Sequence, residues 1–529
     1  MGSFVNPDNS GFVTALNTPV FVDKSMIIEK LNNLIPTENN RICVSRPRRF
    51  GKTRTAELLV AYYSTGCDSR ALFDKLNISK VPDWDKYMNK MNVIQIDAQA
   101  IYQVAKEEEI DFVSEIKLLV NEELKESFPD IDINVDEPLV KSIMKIYKAT
   151  HIKFVIIIDE YDVVVRAKCT DYEIDKYLGF LNTLFKNKNV RNAIALAYLT
   201  GILPIIRDTF QSKLNVFTEY SITKPGDLSG FIGFTEDEVK VLCSKYNMDF
   251  EFCKNWYDGY KLENLESIYN PCSVVNAMSN HYFDDYWTGT GSFESITDYI
   301  GQNIDGLHDD IRRMIEYDDK IKVDISFFLN KIDDFKSKDE IYAYLIHLGY
   351  LTYDAENKKC YIPNDEIREE WRKAIRSIGN LTPFYEFYTA SKELYEGILK
   401  LDSNAVAHNL DKIHFSSANP KTFSNEAALH TSVVSALTYS KAYYNLHDEE
   451  STGYGIADVV LIPRFHYSKN PAIIIELKVD KSAEVALNQI KEKKYGQDFE
   501  CYKNNMIFIG INYNKKSKHH ECKIERFTF

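Results

Sequence analysis

The 529-residue sequence contains no Cys-x-x-Cys pair and no histidines at zinc spacing beside its nine cysteines; Cys43, Cys169, Cys272 and Cys522 lie far apart. That absence excludes a zinc-finger framework and a thioredoxin-type redox motif, and scattered thiols of this kind are expected to be reduced and mostly buried, in a cytoplasmic protein. No stretch approaches the ~20 consecutive apolar residues that span a bilayer, and no basic segment runs into an apolar one at the start, so a soluble protein with no membrane partner is expected. Positive charge is also short. Lys plus Arg number 64 against 78 Asp plus Glu, a formal net charge of −14. A protein that coats nucleic acid by bulk electrostatics is excluded, although a local basic groove is not. What remains is an ordinary globular composition, 44% hydrophobic and 27% charged. At ~150 residues per domain the length holds three or four domains.

One nine-residue stretch organises the front of the chain: Ser45-Arg46-Pro47-Arg48-Arg49-Phe50-Gly51-Lys52-Thr53. An apolar run, Ile42-Cys43-Val44, precedes it, and a helical pattern through Leu58, Leu59, Val60 and Tyr62 follows. Strand, loop, helix is the order of a phosphate-binding loop, in which backbone N–H groups at the positive end of the helix face the phosphates. Gly51 lets the backbone approach, Lys52 brings a point charge to the outer phosphates, and Thr53 brings a hydroxyl for Mg²⁺. The first glycine of the usual pattern is missing, and Arg46 stands in its place. The competing reading is a basic loop that caps a core helix.

Further apolar runs recur between helical stretches at Val93–Ile96, Phe154–Ile158, Ala193–Leu199 and, more weakly, Glu219–Ile222. This alternation predicts a mostly parallel sheet covered on both faces, with ligands bound beyond the carboxyl ends of its strands. The strongest run ends in Asp159-Glu160. A desolvated carboxylate costs several kcal/mol without a partner. In a phosphate-loop enzyme the first acid holds the Mg²⁺ shell and the second orients or deprotonates water. Solvated acids opening the next helix are the alternative. Thr200, at the end of the next run, is placed to sense the outer phosphate, and Arg207 to stabilise charge. Val20 to Ser25 predicts a short strand turning into a helix capped by Asp23 or Ser25. Beyond Phe231 the pattern is helical. Thr235 and Glu238 form a predicted capping box. A helix over Ile341–Leu348, followed by apolar segments around Tyr350–Tyr353 and Cys360–Ile362, predicts a helix and hairpin of winged-helix type, without a basic recognition helix.

The second chemical signal lies near the end, in Ile456-Ala457-Asp458-Val459-Val460-Leu461-Ile462 and Ala472-Ile473-Ile474-Ile475-Glu476-Leu477-Lys478-Val479. The two runs predict an antiparallel hairpin. A register centred on Tyr467 sets Asp458 opposite Glu476, and alternation puts Glu476 and Lys478 on one face. Asp458 and Glu476, with the Leu477 carbonyl, offer hard oxygens to Mg²⁺ or Mn²⁺, and Lys478 can position the attacking water. Glu426 on the preceding helix is an accessory candidate, as is Gln489 with Lys493 and Tyr495 on the following one. Lys491, Lys493, Lys494, Lys515, Lys516 and Lys518 are candidates to track a phosphate backbone. A surface salt bridge on an amphipathic hairpin is the competing reading.

Together with Phe21–Lys24, Asp159–Asp162, Thr200–Leu203, Trp256–Tyr260, Tyr269–Pro271 and Leu348–Thr352, these motifs resemble over nearly the whole length the AAA-ATPase-like proteins that carry a C-terminal PD-(D/E)XK nuclease-superfamily domain. That family itself uses the arginine-rich loop, which implies an ATP site involving Arg46, Arg49, Gly51, Lys52, Thr53 and Asp159. It implies a restriction-endonuclease-like fold behind, with Ala457 replacing the proline of the superfamily's name, and no defined substrate. The expected class is α/β: a P-loop NTPase of AAA/STAND type over 1–228, a helical lid over 229–320, a winged-helix module over 321–380, and a nuclease-like domain over 381–529. The expected function is ATP binding, with hydrolysis, that controls Mg²⁺- or Mn²⁺-dependent cleavage of nucleic acid, DNA ahead of RNA. Glu160, Asp458, Glu476 and Lys478 would be its catalytic residues. The alternative is a nucleotide-dependent switch or scaffold that binds nucleic acid or protein without cutting. A homo-oligomer is open, since phosphate-loop ATPases often borrow an arginine from a neighbour.

Overall fold

In a computed structural model the structure describes residues 2–205, 214–262, 265–287, 297, 300–301, 303–328, 335–377, 382–417, 426–452, 455–464, 469–495, 499 and 502–527. The chain divides into two units, one of Met1–Ser295 with Gln302–Arg372 and one of Ile296–Gly301 with Lys373–Phe529.

The first unit is built on β1 (Arg41–Ser45), helix α1 (Lys52–Tyr63), β2 (Asn92–Asp97), β3 (Phe154–Asp159), the short helix α2 (Val163–Arg166), β4 (Ile194–Gly201) and β5 (Thr218–Tyr220). The strands form one sheet in the order β2-β3-β4-β1-β5, and every pairing is parallel. Phe154 to Ile158 are buried throughout, which is why this strand reads as unbroken apolar sequence instead of an alternation. All four expected runs are therefore strands of one parallel sheet. The loop after β1 and the acids after β3 emerge at the same carboxyl edge, separated by β4.

Val20 to Ser25 departs from expectation. No strand forms there, and the helix that follows is Ile27–Leu34 with Met26 at its N-cap. Asp23 instead bridges locally, accepting from Ser25 N at 2.8 Å and from Asn77 N at 2.6 Å, while Val20 joins an apolar cluster with Phe234 and Val274. With those side chains drawn to one cluster and Asp23 holding a turn, the segment has no neighbouring strand to pair with.

Further elements of this unit bear on the site. Helix α3 (Glu236–Tyr246) starts with the Thr235/Glu238 capping box, and α4 (Pro271–Asn280) starts with Asn270 accepting from Cys272 N, with Pro271 at its first position. Helix α5 (Lys338–Leu348) runs into an antiparallel hairpin of β6 (Thr352–Asp354) and β7 (Lys359–Tyr361), then into α6 (Asp365–Ser377). Gly349 ends α5 at φ 89°, and a Cβ there would come within 2.8 Å of Pro47, so the phosphate-loop proline rests directly on this turn.

Glu366, on α6, is only 1% exposed, yet its partners are neutral: Ser273 Oγ donates to it at 2.9 Å and Tyr286 N at 2.8 Å. Burial pushes its carboxyl from the ordinary 4.5 up to about 8, partly offset by those donors. The folded state therefore holds this proton over a pH range in which the unfolded chain has released it, and stability falls as pH rises from 4.5 through about 8. Relative to Glu366→Gln, the unmodified protein is expected to lose about 2 kcal/mol or more of unfolding free energy between about pH 5 and about pH 8. Urea denaturation of both proteins across that range measures it, and a constant difference contradicts it.

The second unit contains helices Thr382–Leu399 and Ser403–Ser417, then α7 (Glu426–Ala436), β8 (Tyr444–Thr452), β9 (Gly455–Pro463), β10 (Ala472–Val479), α8 (Ala483–Glu492), β11 (Met506–Asn514) and β12 (His519–Phe527). Its sheet has the order β8-β9-β10-β11-β12 and is mixed: β10 and β11 are parallel, and the other neighbours are antiparallel. In β9 and β10, Val459 faces Ile475, Val460 faces Ile474 and Leu461 faces Ile473. This is the predicted hairpin register, although Tyr467 itself lies outside the described residues. One sheet face packs Val459, Leu461, Ile473 and Ile475 against the long helices. The other packs Val460 and Ile474 against α8.

Candidate functional sites

In the first unit a cavity of about 790 Å³ opens over the carboxyl edge of the sheet. Its polar lining includes Arg48, Lys52, Thr53, Asp159 and Glu160, and its apolar lining includes Val20, Val22, Leu58, Phe234 and Val275. The volume and the mixture of charged and apolar lining are those of a pocket for a charged, drug-sized ligand. Gly51 sits at φ 89° as the N-cap of α1, and the space where its Cβ would stand is open. The first N–H groups of α1 therefore face the cavity at the positive end of the helix dipole.

Lys52 is 5% exposed and folded onto its own loop, donating to the carbonyls of Arg46 at 3.2 Å and Pro47 at 3.1 Å. Burial lowers its pKa, while Glu160 and Asp159 act against that shift. Thr53 Oγ1 donates to Asp159 Oδ2 at 2.6 Å, and Glu160 N donates to Asp159 Oδ1 at 2.9 Å. Burial pushes Asp159 up to about 6 against the Thr53 hydrogen bond. A hydroxyl and a carboxylate of raised proton affinity, both hard oxygen donors, fit Mg²⁺.

Arg46 does not line the cavity. Its guanidinium is fully buried behind the loop, donating to the carbonyls of Ser45 at 2.9 Å and Tyr220 at 3.0 Å, with Nε and Nη2 unpartnered. Burial lowers its pKa to about 10. It pins the edge between β1 and β5 where a glycine would leave the loop slack. Arg49, at φ 67°, lines the cavity and donates to the carbonyl of Tyr286. Thr200 is fully buried, with its hydroxyl unpartnered, and is not among the lining residues. Arg207 lies outside the described residues.

Sequence reasoning missed Arg166 and gave Asp162 no role beyond its place in the Asp159–Asp162 motif. Asp162 accepts from Ile202 N at 3.0 Å and Leu203 N at 2.8 Å, which fixes the turn after β4. Arg166, on the last turn of α2, lines the cavity and pairs with both Glu160 and Asp162. The available signal was a basic residue one helical turn beyond an Asp-Glu-x-Asp string.

In the second unit, Glu476 is 2% exposed and Lys478 is 9% exposed. Lys478 Nζ donates to Glu476 Oε1 at 2.8 Å, and Gln489 Nε2, from α8, donates to the same oxygen and to Tyr495 Oη at 3.3 Å. Glu476 Oε2 is buried without a partner. Asp458 Oδ2 accepts from Leu477 N at 2.6 Å. Burial raises both carboxyls, Glu476 to about 7, with the neighbouring acids adding to the shift. Glu426, exposed at the start of α7, acts on both through its charge. Sequence reasoning also missed His430 on α7, whose Nε2 lies 3.1 Å from the Asp458 carbonyl and 2.6 Å from Asp448. Among the described residues no group of three or more His, Cys, Asp or Glu side chains is placed to hold a metal ion. The two raised carboxylates and the orphaned Glu476 oxygen nevertheless make an incomplete shell suited to a hard divalent cation. Of the candidate basic residues, Lys491 pairs with Glu525 and Lys515 with Asp480. Among the described residues no helix is long and apolar enough to cross a membrane.

Residues 15–210 match the family model described as Predicted AAA-ATPase, and residues 424–522 match that of the PD-(D/E)XK nuclease superfamily. No curated protein matches the chain. Similar solved structures include C. elegans PCH-2, 12% identical over 47% of this chain and 53% of that one, with a TM-score of 0.25. The chain thus spans about half the length of that structure. The Aeropyrum pernix ORC1 protein in complex with DNA is 10% identical over 70% of this chain and 98% of its own, with a TM-score of 0.27. Cdc6p from Pyrobaculum aerophilum is 10% identical over 72% and 99%, with a TM-score of 0.24. The two family models identify a predicted AAA-ATPase-like domain over residues 15–210 and a PD-(D/E)XK nuclease-superfamily domain over residues 424–522 of this chain.

Proposed function

We propose that the protein binds and hydrolyses ATP in the first unit and uses that cycle to control a metal-dependent phosphodiesterase site in the second, acting in the cytoplasm on nucleic acid, DNA before RNA. The α1 N-terminus and Lys52 hold the phosphates, Thr53 and Asp159 hold Mg²⁺, and Glu160 takes a proton from water. Residues 229–320 serve as lid and 321–380 as a winged-helix-like module that relays the nucleotide state. Asp458, Glu476 and the Leu477 carbonyl hold Mg²⁺ or Mn²⁺, which when bound offsets charge on the scissile phosphate. Lys478 orients the attacking water, and Gln489 fixes the Glu476 carboxylate.

The observation that carries the reading is the buried, unpartnered Oε2 of Glu476, beside a second carboxylate of raised proton affinity. A structural salt bridge needs no such oxygen, whereas a cation site does. Plasmid, linear and single-stranded DNA and RNA, incubated with Mg²⁺ or Mn²⁺ with and without ATP, test it. Cleavage by the unmodified protein is expected, abolished by Glu476→Ala and made independent of ATP by Lys52→Ala. Intact substrates under every condition would leave a nucleotide-dependent scaffold as the better reading.

A further inference from the structure

We infer that the terminal phosphate of a bound nucleoside triphosphate competes with Glu160 for Arg166, so that the arrival of the triphosphate itself frees the carboxylate that is to accept a proton. The inference rests on the nucleotide-site reading above and assigns Arg166 as the positioning residue of that site. Both carboxylate oxygens of Glu160 face cations. Its Oε2 is held by Arg166 Nη2, and its Oε1 lies 3.9 Å from Lys52 Nζ. Its backbone is fixed in the left-handed region at φ 52°, so the carboxylate is held in place by its backbone and by two cations together.

Arg166 is the cation that can move between partners. It lines the cavity, its side chain is 12% exposed, and it has a second anchor in Asp162 Oδ2 at 3.2 Å. Asp162 Oδ2 also accepts two backbone N–H groups after β4 and faces Arg166 Nε as an ion pair without a hydrogen bond, so the guanidinium can keep that charge partner while Nη2 exchanges one oxygen for another. A guanidinium presents several N–H donors in a fixed fork and bonds phosphate and carboxylate alike. Arg48 lines the same cavity, and its positive charge is felt by both Arg166 and Glu160. An incoming phosphate therefore meets Lys52, Arg48 and Arg166 among the lining cations, and Arg166 is paired directly with an acid on the cavity wall. On this inference a diphosphate, which lacks the terminal phosphate, leaves the pair intact.

The test is equilibrium binding, by calorimetry, of ADP and of a non-hydrolysable ATP analogue, each with Mg²⁺, to four full-length proteins: unmodified, Glu160→Gln, Arg166→Lys and the double variant. Glu160→Gln removes the competitor and should tighten the triphosphate about tenfold, the scale of one charge-assisted hydrogen bond, while ADP stays unchanged. In the Arg166→Lys background, where the fork is lost, that gain should shrink to less than about threefold. Equal effects on ADP and the triphosphate, or a Glu160→Gln gain that persists in full beside Arg166→Lys, would overturn the inference while leaving the nucleotide site standing. Failure of the unmodified protein to bind either nucleotide would overturn the site reading and the inference with it.

Discussion

Lys52→Met should weaken ATP binding by at least about a hundredfold while leaving the thermal stability of the nucleotide-free protein nearly unchanged. Two facts separate the functional effect from a structural one. The ammonium is buried at 5% exposure, and burial lowers its pKa, so the fold holds it at a cost. Its close partners are the carbonyls of Arg46 and Pro47, while the nearest acid, Glu160, is 3.9 Å away. Neither offsets the loss of hydration fully, whereas a polyphosphate in the cavity would. Methionine retains the stem that packs behind the loop and removes only the charge. Calorimetry with ATP and Mg²⁺, alongside a melting curve, measures both effects. A melting temperature that collapses while affinity survives would make Lys52 a core residue.

The second large effect is expected at Lys478. Lys478→Met leaves Glu476, at 2% exposure, with Gln489 but no cation and with Asp458 nearby, and breaking a buried pair in this way costs about 3 kcal/mol or more. Adding Glu476→Gln to Lys478→Met removes the stranded charge and should recover most of that loss, since replacing both members of a buried pair is often close to neutral. Manganese separates a metal site from a structural pair. It should raise the melting temperature of the unmodified protein and of Lys478→Met, where it supplies the missing positive charge, but not that of the double variant. A double variant as unstable as Lys478→Met, or one that Mn²⁺ stabilises as well as the unmodified protein, would count against Glu476 as a ligand.

Much of this architecture was legible from residue order because buried parallel strands carry their own signature. Phe154–Ile158 reads as a strand and is one, and the Asp458/Glu476 register follows from pairing two apolar runs. The phosphate loop is legible through Gly51-Lys52-Thr53. Arg46 is not, since its chemistry suggests a phosphate contact, while the fold turns it back under the loop to the Tyr220 carbonyl. Its direction depends on β5 lying beside β1, a non-local pairing that no local pattern carries. Arg166 and Glu366 were hidden for the same reason. A basic residue on a one-turn helix and an acid at the start of α6 look solvated in sequence. Only the tertiary fold brings one onto Glu160 and buries the other among neutral donors. The Val20–Ser25 segment misled in the opposite direction, because a short apolar run, Val20 to Val22, was present without an edge to pair with.

Buried or half-buried acids, Asp159 at the end of β3 and Asp458 and Glu476 within β9 and β10, are the shared premise, and each is read as a cation ligand. Anomalous diffraction at the manganese edge, from crystals grown with Mn²⁺ and a non-hydrolysable ATP analogue, tests that premise most directly. The account predicts one peak within coordination distance of Thr53 and Asp159 and another within reach of Asp458 and Glu476. Peaks absent from both places, with the four side chains in the contacts described above, would contradict it.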